Sequence, residues 1–148
     1  MKDVLCDNRS MKNFQAESKK SGDDFETLVL NDLNRSRHRN IDRNISIDEI
    51  GVEVDFAYKV HGVQVYVEAK GGEQGKGKRP GAKRTDSVKK AIANGALIKS
   101  FYRDAQFVIY FSDLPKHGSS SHKMINNAIR AGYVDAVRYL IKHPDRKI

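Results

Sequence analysis

The order of hydrophobic patterns predicts an α/β domain in which helices flank a sheet, and three observations carry that expectation. Two runs of alternating apolar and polar residues, Val52 to Ala57 and Val63 to Glu68, are joined by a turn at His61-Gly62 and read as a β-hairpin. A continuous apolar run from Phe107 to Phe111 reads as a strand buried on both faces, as in the middle of a sheet. Helically spaced apolar residues lie before the hairpin, at Phe25, Leu28, Val29 and Leu33, and again between it and that run, at Val88, Ile92, Ala96 and Leu97.

Composition narrows the classes. A chain of 148 residues with 39% apolar content suits one domain with a genuine core, which excludes a collagen-like or fully disordered chain. The longest apolar stretches, Phe107 to Phe111 and Ala96 to Ile98, are far too short to cross a bilayer. A net charge of +8 favours a polyanionic partner, nucleic acid before an anionic membrane surface. The single cysteine, Cys6, leaves no internal disulfide, and no CxxC or close Cys/His set can build a structural zinc site. Met1 is followed by no apolar signal segment, so the expected location is intracellular, cytoplasmic or nucleoid-associated.

Taken in order, residues 1–20 mix polar and charged types and are expected to form a flexible arm, with a single domain over 21–148. Ser21 can cap a first helix, with Asp23 and Asp24 matching its dipole. Glu26 then falls at the border of that helix's buried stripe. Asn34 to Asn44, with Arg35, Arg37, Arg39 and Arg43, reads as a basic loop, and Ile45, Ile47 and Ile50 as a short strand. After the hairpin, Gly71 to Lys83 is glycine-rich and basic and reads as a mobile loop. Thr85 or Asp86 is the expected cap of the second helix, which Gly95 weakens without ending. A last helix is expected over Ser121 to Ala131, and Tyr133 to Ile141 fits a helix or a strand equally.

The chemistry lies on the polar face of the hairpin. Pairing across the two-residue turn sets Asp55 opposite Glu68, with Lys70 one pleat further on. Two facing carboxylates destabilise a sheet unless a cation sits between them. Hard oxygen donors select Mg²⁺, with Mn²⁺ as a substitute, and Mg²⁺ takes only one or two protein carboxylates. The bland alternative for Asp55, Glu68 and Lys70 is an exposed sheet face with a cross-strand salt bridge. Glu53 is expected to face solvent or support Lys70, Tyr66 shares the hairpin's active face, and His61 is a turn residue.

Asp55, twelve intervening residues, and then Glu68-Ala69-Lys70, after a helix bearing Glu26, resembles the PD-(D/E)XK, or restriction-endonuclease-like, nucleases. Matching elements run from about residue 21 to 112, roughly two thirds of the chain, with Val54 in place of the name-giving proline. The resemblance implies an αβββαβ core with a central mixed sheet, here with an extra C-terminal helix and a further helix or strand. It also implies a Mg²⁺-dependent DNA endonuclease of phage or homing, junction-resolving or restriction type. On that basis Asp55, Glu68 and the Ala69 carbonyl ligate the metal, and Glu26 helps hold the metal or its water. Lys70 orients the attacking water and offsets charge on the phosphate. Residues 76 to 103 hold nine Lys and Arg against Asp86 alone, an excess as large as that of the whole chain. Lys76, Lys78, Arg79, Lys83, Arg84, Lys89 and Lys90 are therefore expected to meet DNA, with Arg35, Arg37 and Arg39 extending the track. One compact domain cuts one strand per site, so double-strand cleavage implies a homodimer or higher assembly. The alternative function is a non-catalytic nucleic-acid-binding module with the same fold.

Overall fold

A computed structural model describes residues 24–72 and 81–141. Helix α1 (residues 24–35) is followed by strands β1 (Asp42–Ile47), β2 (Val52–Val60) and β3 (Val63–Lys70). A short 3-10 turn (Gly81–Lys83) leads into α2 (Thr85–Phe101), and then come β4 (Gln106–Phe111), α3 (Ser120–Ala131) and β5 (Ala136–Tyr139). The arm over 1–20, the cap at Ser21 and most of the glycine-rich loop lie outside the described residues. No helix among those described is long and apolar enough to cross a membrane.

The sheet is mixed and five-stranded, in the order β1-β2-β3-β4-β5. The first three strands are antiparallel, while β3–β4 and β4–β5 are parallel and so require the crossovers that α2 and α3 provide. Crossovers of one hand in a sheet growing in one direction put their helices on one face. Accordingly Val88, Ala91 and Ile98 of α2 share a core with Ile125 and Ala128 of α3 and with Phe107, Ile109 and Phe111 of β4. On the other face α1 lays Phe25, Val29 and Leu33 over Phe56, Val65, Val67, Val108 and Tyr110. The alternating assignment of residues 107–111 to the two cores explains their unbroken apolar run.

The hairpin turns as the sequence predicts. His61 (φ +49°) and Gly62 (φ +80°) are both left-handed, the requirement of a type I′ turn, and Val60 pairs with Val63. Other expectations are corrected. The basic loop ends earlier, because Asp42, Arg43 and Asn44 already belong to β1. Arg84, rather than Thr85 or Asp86, occupies the N-cap of α2, and its side chain makes no capping bond. The end of the glycine-rich loop is not free: Gly81 and Ala82 are buried, and a Cβ at Gly81 would lie 2.8 Å from Ser112 Oγ. The buried stripe of α2 is Val88, Ala91, Gly95 and Ile98, whereas Leu97 is exposed and Ile92 and Ala96 are half-buried. Small residues let α2 come close; a Cβ at Gly95 would meet the Tyr133 carbonyl oxygen at 2.6 Å and Phe107 Cδ1 at 2.7 Å. Tyr133 to Ile141, which fits either periodicity, contains strand β5, with Leu140 N–H donating to the Phe111 carbonyl just beyond it.

Alternation along β2 is interrupted where the candidate site lies. Val52 and Val54 belong to the core under α2 and α3, yet Phe56 belongs to the core under α1. The β1–β2 ladder keeps one register but skips Asn44 and Asp55, and Asn44 is left-handed at φ +51°. This switch of faces replaces the single apolar face expected for Val52, Val54 and Phe56.

Candidate active site

Strands β2 and β3 pair from Val60↔Val63 to Phe56↔Val67, which is the register the two-residue turn dictates. The ladder stops one pair short of Asp55 and Glu68. There a side chain takes over: the Ala69 N–H donates to Asp55 Oδ2 at 2.7 Å. The Asp55 carboxylate is thus fixed at the point where the strands part, beside the residue that follows Glu68.

Glu68 is 5% exposed, and both of its oxygens have partners. Lys70 Nζ lies 3.1 Å from Oε1, and Asn94 Nδ2 donates to Oε2 at 2.8 Å. Asp55, Glu68 and Lys70 together line a cavity of about 670 Å³. Asn44 and Ser46 of β1 and Lys90 and Asn94 of α2 line it too. Glu53 is exposed, lines the cavity and accepts from Ser46 Oγ at 3.4 Å. The first cation found beside Glu68 is therefore the chain's own ammonium, Lys70.

Burial raises the Glu68 carboxyl above the usual glutamate value. The charge of Lys70 and the hydrogen bonds from Asn94 and Lys70 oppose that rise, while the charge of Asp55 adds to it. A carboxyl whose folded value exceeds its unfolded one contributes stability below the unfolded value and loses it as pH rises through the folded value. Relative to Glu68→Gln, the native protein should gain stability as pH falls through that window, measured by urea unfolding at several pH values. A difference flat with pH would mean that Glu68 titrates alike in both states.

The other expected residues are distributed as follows. Lys90 reaches the cavity; Lys89 is exposed on α2 and does not line it. Lys83 and Arg84 are exposed where the chain enters α2, with Lys83 Nζ 4.0 Å from Asp113 Oδ1. Arg35, Arg37 and Arg39 are exposed at and after the end of α1, which covers the opposite face of the sheet, so none of them lines the cavity. Glu26 is half-buried near the start of α1 and is not among the lining residues. Its neighbour Phe25 packs against Gly71, just beyond Lys70, so closely that a Cβ there would run into the ring. Lys76, Lys78 and Arg79 lie outside the described residues. Asn94 was not anticipated. Its one signal is position, four residues after Lys90 and beside the small Gly95 that brings the helix down onto the sheet.

Among the described residues no three His, Cys, Asp or Glu side chains come together as a metal-binding group. The donors present nonetheless fit a magnesium ion, which commonly takes one or two carboxylates and completes its shell with water and phosphate. The chemistry of the set, two carboxylates with a lysine at the same opening, suits a hard cation rather than zinc. Compared with known proteins, the chain matches no family model, no curated protein and no solved structure.

Proposed function

We propose that this protein is a Mg²⁺-dependent DNA endonuclease with a restriction-endonuclease-like core, hydrolysing phosphodiester bonds. One observation carries the reading: Asp55, Glu68 and Lys70, from two strands that part at this point, open into one cavity whose other wall supplies Lys90. The succession of one helix, three antiparallel strands, a crossover helix and a parallel strand supports it further.

Asp55 and Glu68, with the Ala69 carbonyl, are the groups that would hold the ion; Glu26, which does not line the cavity, would act on it only through a bound water. When bound, such an ion lowers the pKa of its water and stabilises charge developing on phosphorus-bound oxygens. Asn94 holds the Glu68 carboxylate in one orientation. Lys70 shares Glu68 Oε1, so its ammonium stands where it can orient a water and offset phosphate charge. Lys90 offers a second cation to the DNA backbone from the helix wall. The described residues carry one such set, so cutting both strands together would require two copies.

Incubation with plasmid, linear duplex, single-stranded and four-way-junction DNA, with RNA as a control and with Mg²⁺ or EDTA, tests the reading. Metal-dependent cleavage is expected. DNA binding without cleavage in any buffer would instead favour the non-catalytic binding module.

Binding should also weaken steeply with salt. Neutralising Lys83 and Arg84 together should reduce the slope of log affinity against log salt by about two. An unchanged slope would assign both side chains to open solvent.

A further inference from the structure

We infer that the site continues along α2 as a platform for an unpaired nucleobase, with Phe101 as the stacking ring. The preferred DNA would then carry unpaired nucleotides close to the cleaved phosphate. The inference rests on the nuclease reading and adds a substrate class to it.

At 100° per residue, Lys90, Asn94, Leu97 and Phe101 fall within an arc of about 60° on α2. The first two line the cavity, and Asn94 holds Glu68. The last two continue the stripe away from it and are 45% and 53% exposed. The core is served by a different side of the helix, through Val88, Ala91, Gly95 and Ile98. An apolar surface thus starts at a polar, lysine-lined opening.

The Phe101 ring is braced. It meets Tyr102 edge-on, with centroids 4.8 Å apart and planes at 85°. Tyr102 in turn lies 6.3 Å from Tyr66, which shares a face of β3 with Glu68 two residues on. The far end of the stripe is therefore tied back to the strand that bears the carboxylate. Phe101 lies seven residue steps beyond Asn94, about 10 Å along the helix and equivalent to about three nucleotide steps.

Bases inside a duplex stack on one another, whereas unpaired bases present a face to an aromatic side chain. Lys70 and Lys90 at the other end of the stripe meet phosphates, and Lys90 has no ion pair among the described residues. The stripe's continuity with the site favours the nucleic-acid occupant.

The test uses the full chain and duplexes carrying a short single-stranded gap with 2-aminopurine in it, beside fully paired controls, in EDTA for binding and Mg²⁺ for cleavage. The native protein should quench the 2-aminopurine and bind the gapped DNA more tightly than the paired control. Phe101→Ala should weaken gapped binding about tenfold and lose the quench while leaving paired binding unchanged. Phe101→Trp should keep both effects, and Phe101→Leu should lose the quench. Equal gapped binding by the native protein and Phe101→Ala overturns the inference. So does a smaller oligomer for Phe101→Ala in sedimentation with the quench intact, which would assign the stripe to a second copy. A Phe101-dependent quench without cleavage of any substrate would remove the nuclease reading and leave the platform standing; cleavage with no Phe101 dependence would do the reverse.

Discussion

Lys70→Ala should lower Mg²⁺-dependent nicking about a thousandfold, the scale expected when a group acting directly on the reacting water or phosphate is removed. The chain should still fold, since Lys70 ends β3 with its side chain 27% exposed and contributes nothing to either core. Its removal does leave Glu68 Oε1 without its partner in a buried setting, which costs stability on its own. Lys70→Gln separates the two effects, because an amide can still donate to Glu68 but carries no charge. Nicking lost in both variants, with near-native unfolding in Lys70→Gln, is the expected pattern. Cleavage by Lys70→Ala at the native rate would reject the mechanism.

Gly95→Leu should cost about 3 kcal/mol and lower Tm by about 10 °C, at the upper end of overpacking effects. The atoms that a side chain would meet are a backbone carbonyl and a core ring that is itself fully buried, so neither can give way cheaply. Relief requires α2 to lift off the sheet, which would draw Asn94 from Glu68. Gly95→Ala isolates the steric part, since alanine improves helix propensity by about 1 kcal/mol at the same position. A stable Gly95→Leu protein with its site unaltered would show that the contact is looser than these distances state.

Much of the frame was legible because it is written in local periodicity. The hairpin register followed from His61-Gly62 alone, and the Phe107 to Phe111 run announced its central strand. Features made by distant contacts were not legible. The buried side of α2 was misread because Ala91 and Gly95 have no hydrophobic weight, although their smallness decides how closely the helix docks. The face switch at Asp55 coincides with a left-handed backbone at Asn44 of the neighbouring strand, which no alternation pattern encodes. Strand β5 fitted two periodicities equally, and its pairing with β4 resolved the choice. Of the residues lining the candidate site, Asp55, Glu68, Lys70 and Lys90 carry charges that single them out in the sequence, while Asn94, on the same crossover helix as Lys90, carries none.

The mixed sheet also sets a timetable. Asp42 need only find Ala57, and Val60 its near neighbour Val63, whereas Val65 must wait for Gln106 to return from a long excursion. Short loops close first, so the meander should form early and bring Asp55, Glu68 and Lys70 together while they are still hydrated. Substitutions in the His61-Gly62 turn should slow folding, and Asn94→Ala should chiefly hasten unfolding; the opposite partition in stopped-flow kinetics would mean that α2 docks first. On that order the desolvation of Glu68 would be postponed until the helix that covers it arrives carrying the amide that receives it.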